Sequence, residues 1–334
     1  GVCECLTGYT GADCSACADG YVPEGDRCVW PQTAELLFFD DFEYDAGRSD
    51  PNATQVFQAE GGWSWAKTVQ AGQPGARGYV FTAARIPGFG GTFPGGNSSR
   101  VLVMEALPTS LAGQTDFYLQ YGDENAPTDT IPADVWFQFW LYPNHYDDPN
   151  DVEDQQSLFS RANKFLYPCK SFYPCNSNTW LVSLGSASKE PFNQELGPLA
   201  EDLFVVNADP DEMDYQCASE YPTNRWKLGQ TDISERIVAN RWTLVKLHID
   251  TSTASSTWEA WLKPAGGSWV KVVEWIDGTT ACFNWEVTDT TGHRVLRMPT
   301  TINTGEDPAA SYDHWIYMDD FAMATAESAL PTYP

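Results

Sequence analysis

The chain has 334 residues, with 46 Asp and Glu against 19 Lys and Arg, a formal charge of −27. A field of that sign repels phosphate, so nucleic acid and anionic membrane surfaces are disfavoured as partners. Hydrophobic residues at 42% and aromatics at 14% are too many for a disordered chain, and no run of about 18 apolar residues reads as a membrane span.

Cysteine is concentrated at the start. Five of nine fall in the first 28 residues: Cys3, Cys5, Cys14, Cys17 and Cys28. Dense cysteine in a short Gly-rich stretch implies a disulfide module, hence an oxidising, extracellular or cell-surface setting. The Cys14-x-x-Cys17 spacing also suits zinc, but no second such pair follows and no His lies nearby. The stretch CECLTGYTGADCSACADGYVPEGDRC resembles the C-terminal half of a laminin-type EGF module: C-x-C, then G-Y-T-G, C-x-x-C and D-G-Y. The resemblance implies Cys5–Cys14 and Cys17–Cys28 bonds. It leaves Cys3 for a partner upstream of Gly1 or for another chain. The sequence opens in mid-module, which reads as a mature or trimmed product. Residues 1–31 are thus expected to be a partial EGF-like module, and residues 32–334 a second domain.

From Pro31 onward, short apolar runs alternate with Gly, Pro, Asn and Asp clusters. Strands are expected at Glu35–Phe39, Tyr79–Ala83, Arg100–Ala106, Asp116–Tyr121, Val135–Leu141, Thr179–Leu184, Leu203–Val206, Trp242–Ile249, Thr257–Leu262, Trp269–Trp275, Arg294–Met298 and Trp315–Ala324. The one helix expected is short, Ile233–Asn240. The Gly/Pro-rich stretch Ile86–Gly96 reads as a long loop. About a dozen strands separated by turns imply an all-β sandwich or barrel. The opening LLFFDDFEY, the closing DHWIYMDDFAMAT and the middle NRWTLVKLHID…STWEAWLKP resemble the first, last and central strands of concanavalin-like jelly rolls, the fold of laminin-G domains and several polysaccharide lyases. That resemblance implies a two-sheet antiparallel sandwich whose first and last strands pair. The four later cysteines are expected to pair as Cys169–Cys175 and, at long range, Cys217–Cys282.

If the end strands pair, Asp40, Asp41, Glu43, Asp319 and Asp320 converge on one edge. Calcium takes six to eight oxygens, so a structural Ca2+ is expected there; solvated acids on a sheet edge are the competing reading. In Val135–Tyr142, period 2 sends Val135, Phe137, Phe139 and Leu141 to the core. It sends Trp136, Gln138, Trp140 and Tyr142 the other way. Flat rings with an amide suit a sugar, so Trp136, Trp140 and Tyr142 are candidate carbohydrate contacts, unless another layer covers them.

Basic and imidazole groups are scarce. Elimination from a uronate needs a carboxylate neutraliser and a base for the C5 proton. Tyr167, His248, Lys246 and Gln138 have that chemistry, as do Lys164 and His314. For His248 the favoured reading is a strand histidine with a hydrogen-bonded ring. The E-x-D-x-x-E pattern of related hydrolases is absent, and so are the R-x-E-x-R, Q-x-H and Y-x-K-x-G motifs of alginate lyases. Two sequons occur, at Asn52 and Asn97. The expectation is a secreted carbohydrate-active protein that binds and cleaves a polysaccharide, with elimination ahead of hydrolysis. The competing expectation is a non-catalytic adhesion, glycan-binding or self-assembling surface subunit.

Overall fold

The computed structural model describes the strands named below, together with residues 35, 41–42, 131–132, 234–235, 237, 241–242, 265–269 and 325–333. The strands are β1 (Tyr9–Thr10), β2 (Ala16–Cys17), β3 (Val22–Glu24), β4 (Arg27–Val29), β5 (Leu36–Asp40), β6 (Gln55–Gln58), β7 (Trp63–Lys67), β8 (Ala76–Thr82), β9 (Arg100–Ala106), β10 (Gln114–Thr115) and β11 (Phe117–Tyr121). They continue as β12 (Asp134–Asn144), β13 (Asn163–Cys169), β14 (Leu181–Gly185), β15 (Leu203–Asn207), β16 (Leu228–Gly229), β17 (Thr243–Asp250), β18 (Thr257–Pro264), β19 (Val270–Ile276), β20 (Val295–Arg297), β21 (Ile302–Asn303) and β22 (His314–Ala324). Every expected strand has its counterpart. The expected helix does not: Ser234, Glu235 and Ile237 are bends or irregular. An eight-residue helix without strong caps is marginal unless packing supports it. No helix among the described residues is long and apolar enough to cross a membrane.

The architecture is an antiparallel jelly-roll sandwich. One sheet runs β19-β18-β17-β12-β22-β9-β8, with β5 also paired to β22. It holds the first and last strands of the sandwich and is called here the terminal sheet. The opposed sheet runs β16-β15-β14-β13-β20-β11-β7-β6. Near the N-terminus, β1 pairs with β2 and β3 with β4. Cys17 stands in β2 and Cys28 in β4, whereas Cys3, Cys5, Cys14, Cys175, Cys217 and Cys282 lie outside the described residues.

Alternation in β12 builds the core. Val135, Phe137, Phe139 and Leu141 are buried on its inward face. Phe321 of β22 meets Phe139 at 5.6 Å and Phe137 at 6.4 Å between ring centroids. Trp65 of the opposed sheet packs edge-on to Phe321 at 5.8 Å, and against Phe38 at 6.5 Å. These rings join the two sheets. Burying them removes several large apolar surfaces from water, each contributing roughly 1.5–3 kcal/mol.

The β18–β19 connection shows why glycine is needed there. Gly266 has φ +73°, and the Gly267 N–H donates to the Pro264 carbonyl at 2.8 Å. A side chain at Gly266 would be strained in that left-handed conformation.

Candidate functional site

Pairing β5 with β22 sets Asp40 opposite Phe321. The expected convergence of acidic ends thus occurs at backbone level. Asp40 itself is committed to the fold. Its Oδ1 accepts the Phe42 N–H and its Oδ2 accepts the Trp65 Nε1–H, both at 2.9 Å. Asp319 Oδ1 accepts the Asp320 N–H at 2.9 Å. Phe42 and Asp320 both have positive φ, at 55° and 48°. Among the described residues, no group of three or more His, Cys, Asp or Glu side chains is placed to hold a metal. Glu43 lies outside them, and Asp41 is half-buried beside Asp40.

Of the two readings of the aromatic row, open to a sugar or covered by another layer, the structure shows a covering layer. Trp136, Gln138, Trp140 and Tyr142 do share the outer face of β12, but residues 325–333 run across that face. Trp140 is 1% exposed and Tyr142 3%. Trp140 meets Tyr333 edge-on at 5.7 Å. Tyr142 packs on Trp242 at 5.2 Å and on Tyr317 at 5.8 Å. Burial pushes the Tyr142 phenol up from its usual pKa. Trp136 is half-buried and stacks on His248 at 4.0 Å with rings 9° apart, and on Trp261 at 5.7 Å. Trp140 and Tyr142 are too buried to present an open plane. An outer sheet face this apolar favours a covering layer, and residues 325–333 supply it.

The expected catalytic residues fall on both sheets. Gln138 donates to the Pro331 carbonyl at 2.6 Å. Lys246 pairs with Glu327, its ammonium 4.6 Å from the Trp261 ring and 4.7 Å from that of Trp269. His248 holds Glu259 through Nδ1 at 3.0 Å and Asp134 through Nε2 at 3.1 Å. Burial alone would raise the Glu259 pKa, but hydrogen bonds from Lys271 and His248 outweigh it and hold the carboxyl below its usual range. Likewise, burial would lower Lys271, yet Glu259 and Glu274 hold it above its usual value. Tyr167 lies on β13 of the opposed sheet. Gln138, Lys246 and His248 lie on β12 and β17 of the terminal sheet. His314 opens β22, opposite Ala106, and Lys164 lies on β13 opposite Ser183.

The opposed sheet brings other residues to Tyr167. Leu119 is fully buried and pairs with Trp65 and with Leu296, and Leu296 pairs with Pro168. Trp65 marks that level as facing the core. The adjacent register level reads Ala66, Tyr118, Arg297 and Tyr167 across β7, β11, β20 and β13. Directly opposed positions lie about 4.5–5.5 Å apart at Cβ. Two tyrosines thus flank an arginine at the middle of an eight-stranded sheet. Tyr118 and Arg297 were not singled out from the sequence. Both lie in expected strands, but only the pairing register sets them beside Tyr167.

The sequence matches no family model and no curated protein. Solved structures with similar folds include the PL-14 alginate lyase from Aplysia kurodai (13% identity, 75% of this chain and 90% of that one, TM-score 0.43). Another is a GH131 β-glucanase catalytic domain from Podospora anserina (12%, 75% and 79%, TM-score 0.36). A third is peanut lectin (8%, 78% and 97%, TM-score 0.34). At these identities and scores the likeness carries no argument about chemistry.

Proposed function

We propose that the chain is a secreted carbohydrate-active protein that binds an acidic extracellular polysaccharide and cleaves it by β-elimination. The observation that carries this reading is the register that sets Tyr118 and Tyr167 on either side of Arg297 in the opposed sheet. Arginine offers a planar fork that fits a carboxylate bidentately, and it supplies positive charge in a chain of −27. Tyrosine can serve as base or acid. In the proposed step, Arg297 neutralises the uronate carboxylate. A phenolate at Tyr167 takes the C5 proton, the C–H electrons form the C4=C5 double bond, and the C4–O bond breaks. The leaving oxygen takes a proton from the second tyrosine, Tyr118. The cysteine-dense N-terminal stretch supports the secreted part of the reading.

The test is incubation with polyuronates and neutral glucans, following ultraviolet absorbance of new C4=C5 bonds alongside reducing ends. Absorbance on a polyuronate is expected, with Tyr167→Phe lowering the rate by about 10²–10⁴-fold. Reducing ends without absorbance would refute elimination. Retention of the polymer without cleavage would assign the chain to non-catalytic glycan binding.

A further inference from the structure

We propose that residues 325–333 are a strap held in cis on a second, latent binding groove for acidic glycan on the outer face of the terminal sheet. This inference is independent of the Tyr118–Arg297–Tyr167 level, which lies on the other sheet.

The strap follows β22 and is anchored at its start, where the Thr325 N–H donates to the Glu35 carbonyl at 2.7 Å. Ala329 and Leu330 then pack against Leu36, Phe39, Ala322 and Ala324. The strap also supplies acceptors to three donors of the sheet. Gln138 donates to the Pro331 carbonyl at 2.6 Å, and Lys263 to the Tyr333 carbonyl at 2.9 Å. Lys246 pairs with the Glu327 carboxylate. Gln138, Lys263 and Lys246 are 3%, 7% and 8% exposed. Around them stand Trp140, Trp261 and Trp269.

An amide, two ammonium groups and indole walls form the donor set that a uronate chain satisfies. The carboxylate meets a cation, hydroxyls meet the amide and ammonium groups, and C–H faces meet the indoles. The strap mimics only part of this. The Trp140 indole N–H is buried with no hydrogen-bond partner, and its ring lies against Tyr333 of the strap. Such an orphan is costly, and a hydroxyl arriving in the groove would satisfy it. Lys271 is already held by Glu259 at 2.5 Å and by Glu274, so it is not part of the donor set.

A strap closed nine-tenths of the time weakens apparent affinity by about tenfold. Deleting residues 327–334 should therefore raise retardation in polygalacturonate affinity gels by at least about tenfold in apparent Kd. Circular dichroism and thermal melting would establish that the shortened chain is folded. The gain should vanish when Lys246→Met and Lys263→Met are added, and a neutral glucan should retard neither form. A folded, shortened chain that migrates like the full chain would overturn the proposal, and so would retardation that survives both lysine changes. Should the shortened chain fail to fold, the full chain carrying Glu327→Gln and Tyr333→Ala provides the same readout. Increased retardation by polygalacturonate supports the strap, and unchanged migration refutes it. Tyr167 and Arg297 are intact in all of these variants, so cleavage on the opposed sheet reports separately.

Discussion

Asp40 offers a graded test of how the end strands are joined. It is 5% exposed, and each carboxylate oxygen accepts one donor: the Phe42 N–H and the Trp65 indole N–H, both at 2.9 Å. Asp40→Ala strands both donors beneath the ring cluster. Each orphaned buried group costs about 1–3 kcal/mol, so the variant should lose roughly 4 kcal/mol. The loss is compounded at Phe42, whose φ of 55° costs an L residue about 1–2 kcal/mol and is held by that hydrogen bond. Asp40→Asn keeps one acceptor but turns an amide N–H toward the other donor. It should lose about half as much, roughly 2 kcal/mol. Urea unfolding would measure both, with equal slopes required so that the midpoint shift reports stability. Equal losses for the two variants would refute the argument, as would less than about 1 kcal/mol for Asp40→Ala. A Trp65→Phe background supplies an internal check. It removes one of the two donors, so the Asp40→Ala cost should shrink there.

Three further outcomes are expected. The strap is held by its apolar residues more than by its ion pair. Leu330, 4% exposed, should cost about 2–4 kcal/mol as Leu330→Ala. Glu327→Gln should cost less than about 1 kcal/mol, because Glu327 is 53% exposed and its pair with Lys246 is screened. Thermal melts of the two variants would separate these. The Glu259–Lys271 pair sets a stability plateau bounded on both sides. Glu259 titrates lower in the fold than in the unfolded chain, so its contribution is present above the unfolded carboxyl pKa of 4.5 and is lost as pH falls through the lowered value. Lys271 titrates higher in the fold, so its contribution is present below 10.5 and is lost as pH rises through the raised value. Melting temperature against pH should fall at both ends, and Lys271→Met should flatten the alkaline fall. Gly266→Ala should cost about 1–2 kcal/mol, read from its urea midpoint, because of the φ of +73°.

Strand positions and the inward face of β12 were legible in the sequence, because alternation depends only on the period of the extended backbone. Val135, Phe137, Phe139 and Leu141 face inward for that reason. The pairing of first and last strands followed from a resemblance carried by LLFFDDFEY and DHWIYMDDFAMAT. β6, β7 and β13 were missed, as were the two-residue strands β10, β16 and β21. In WSWAK and NKFLYPC, the short runs have no clean turn signals at both ends.

The sequence could say which residues of a strand share a face, but not what lies over that face. Trp140 reads the same whether a sugar or Tyr333 covers it. The covering segment has only a three-residue 3-10 turn, and so it carries no periodic signal of its own. Nor could the sequence place Tyr118 and Arg297 beside Tyr167. A one-residue slip in register would pair each with a different neighbour, and register is tied to how Trp65 and Leu119 fit the core. Local periodicity thus determined the strands and their faces. The layering, the strap and the cross-strand levels were decided by long-range packing, which brings together residues far apart in the chain.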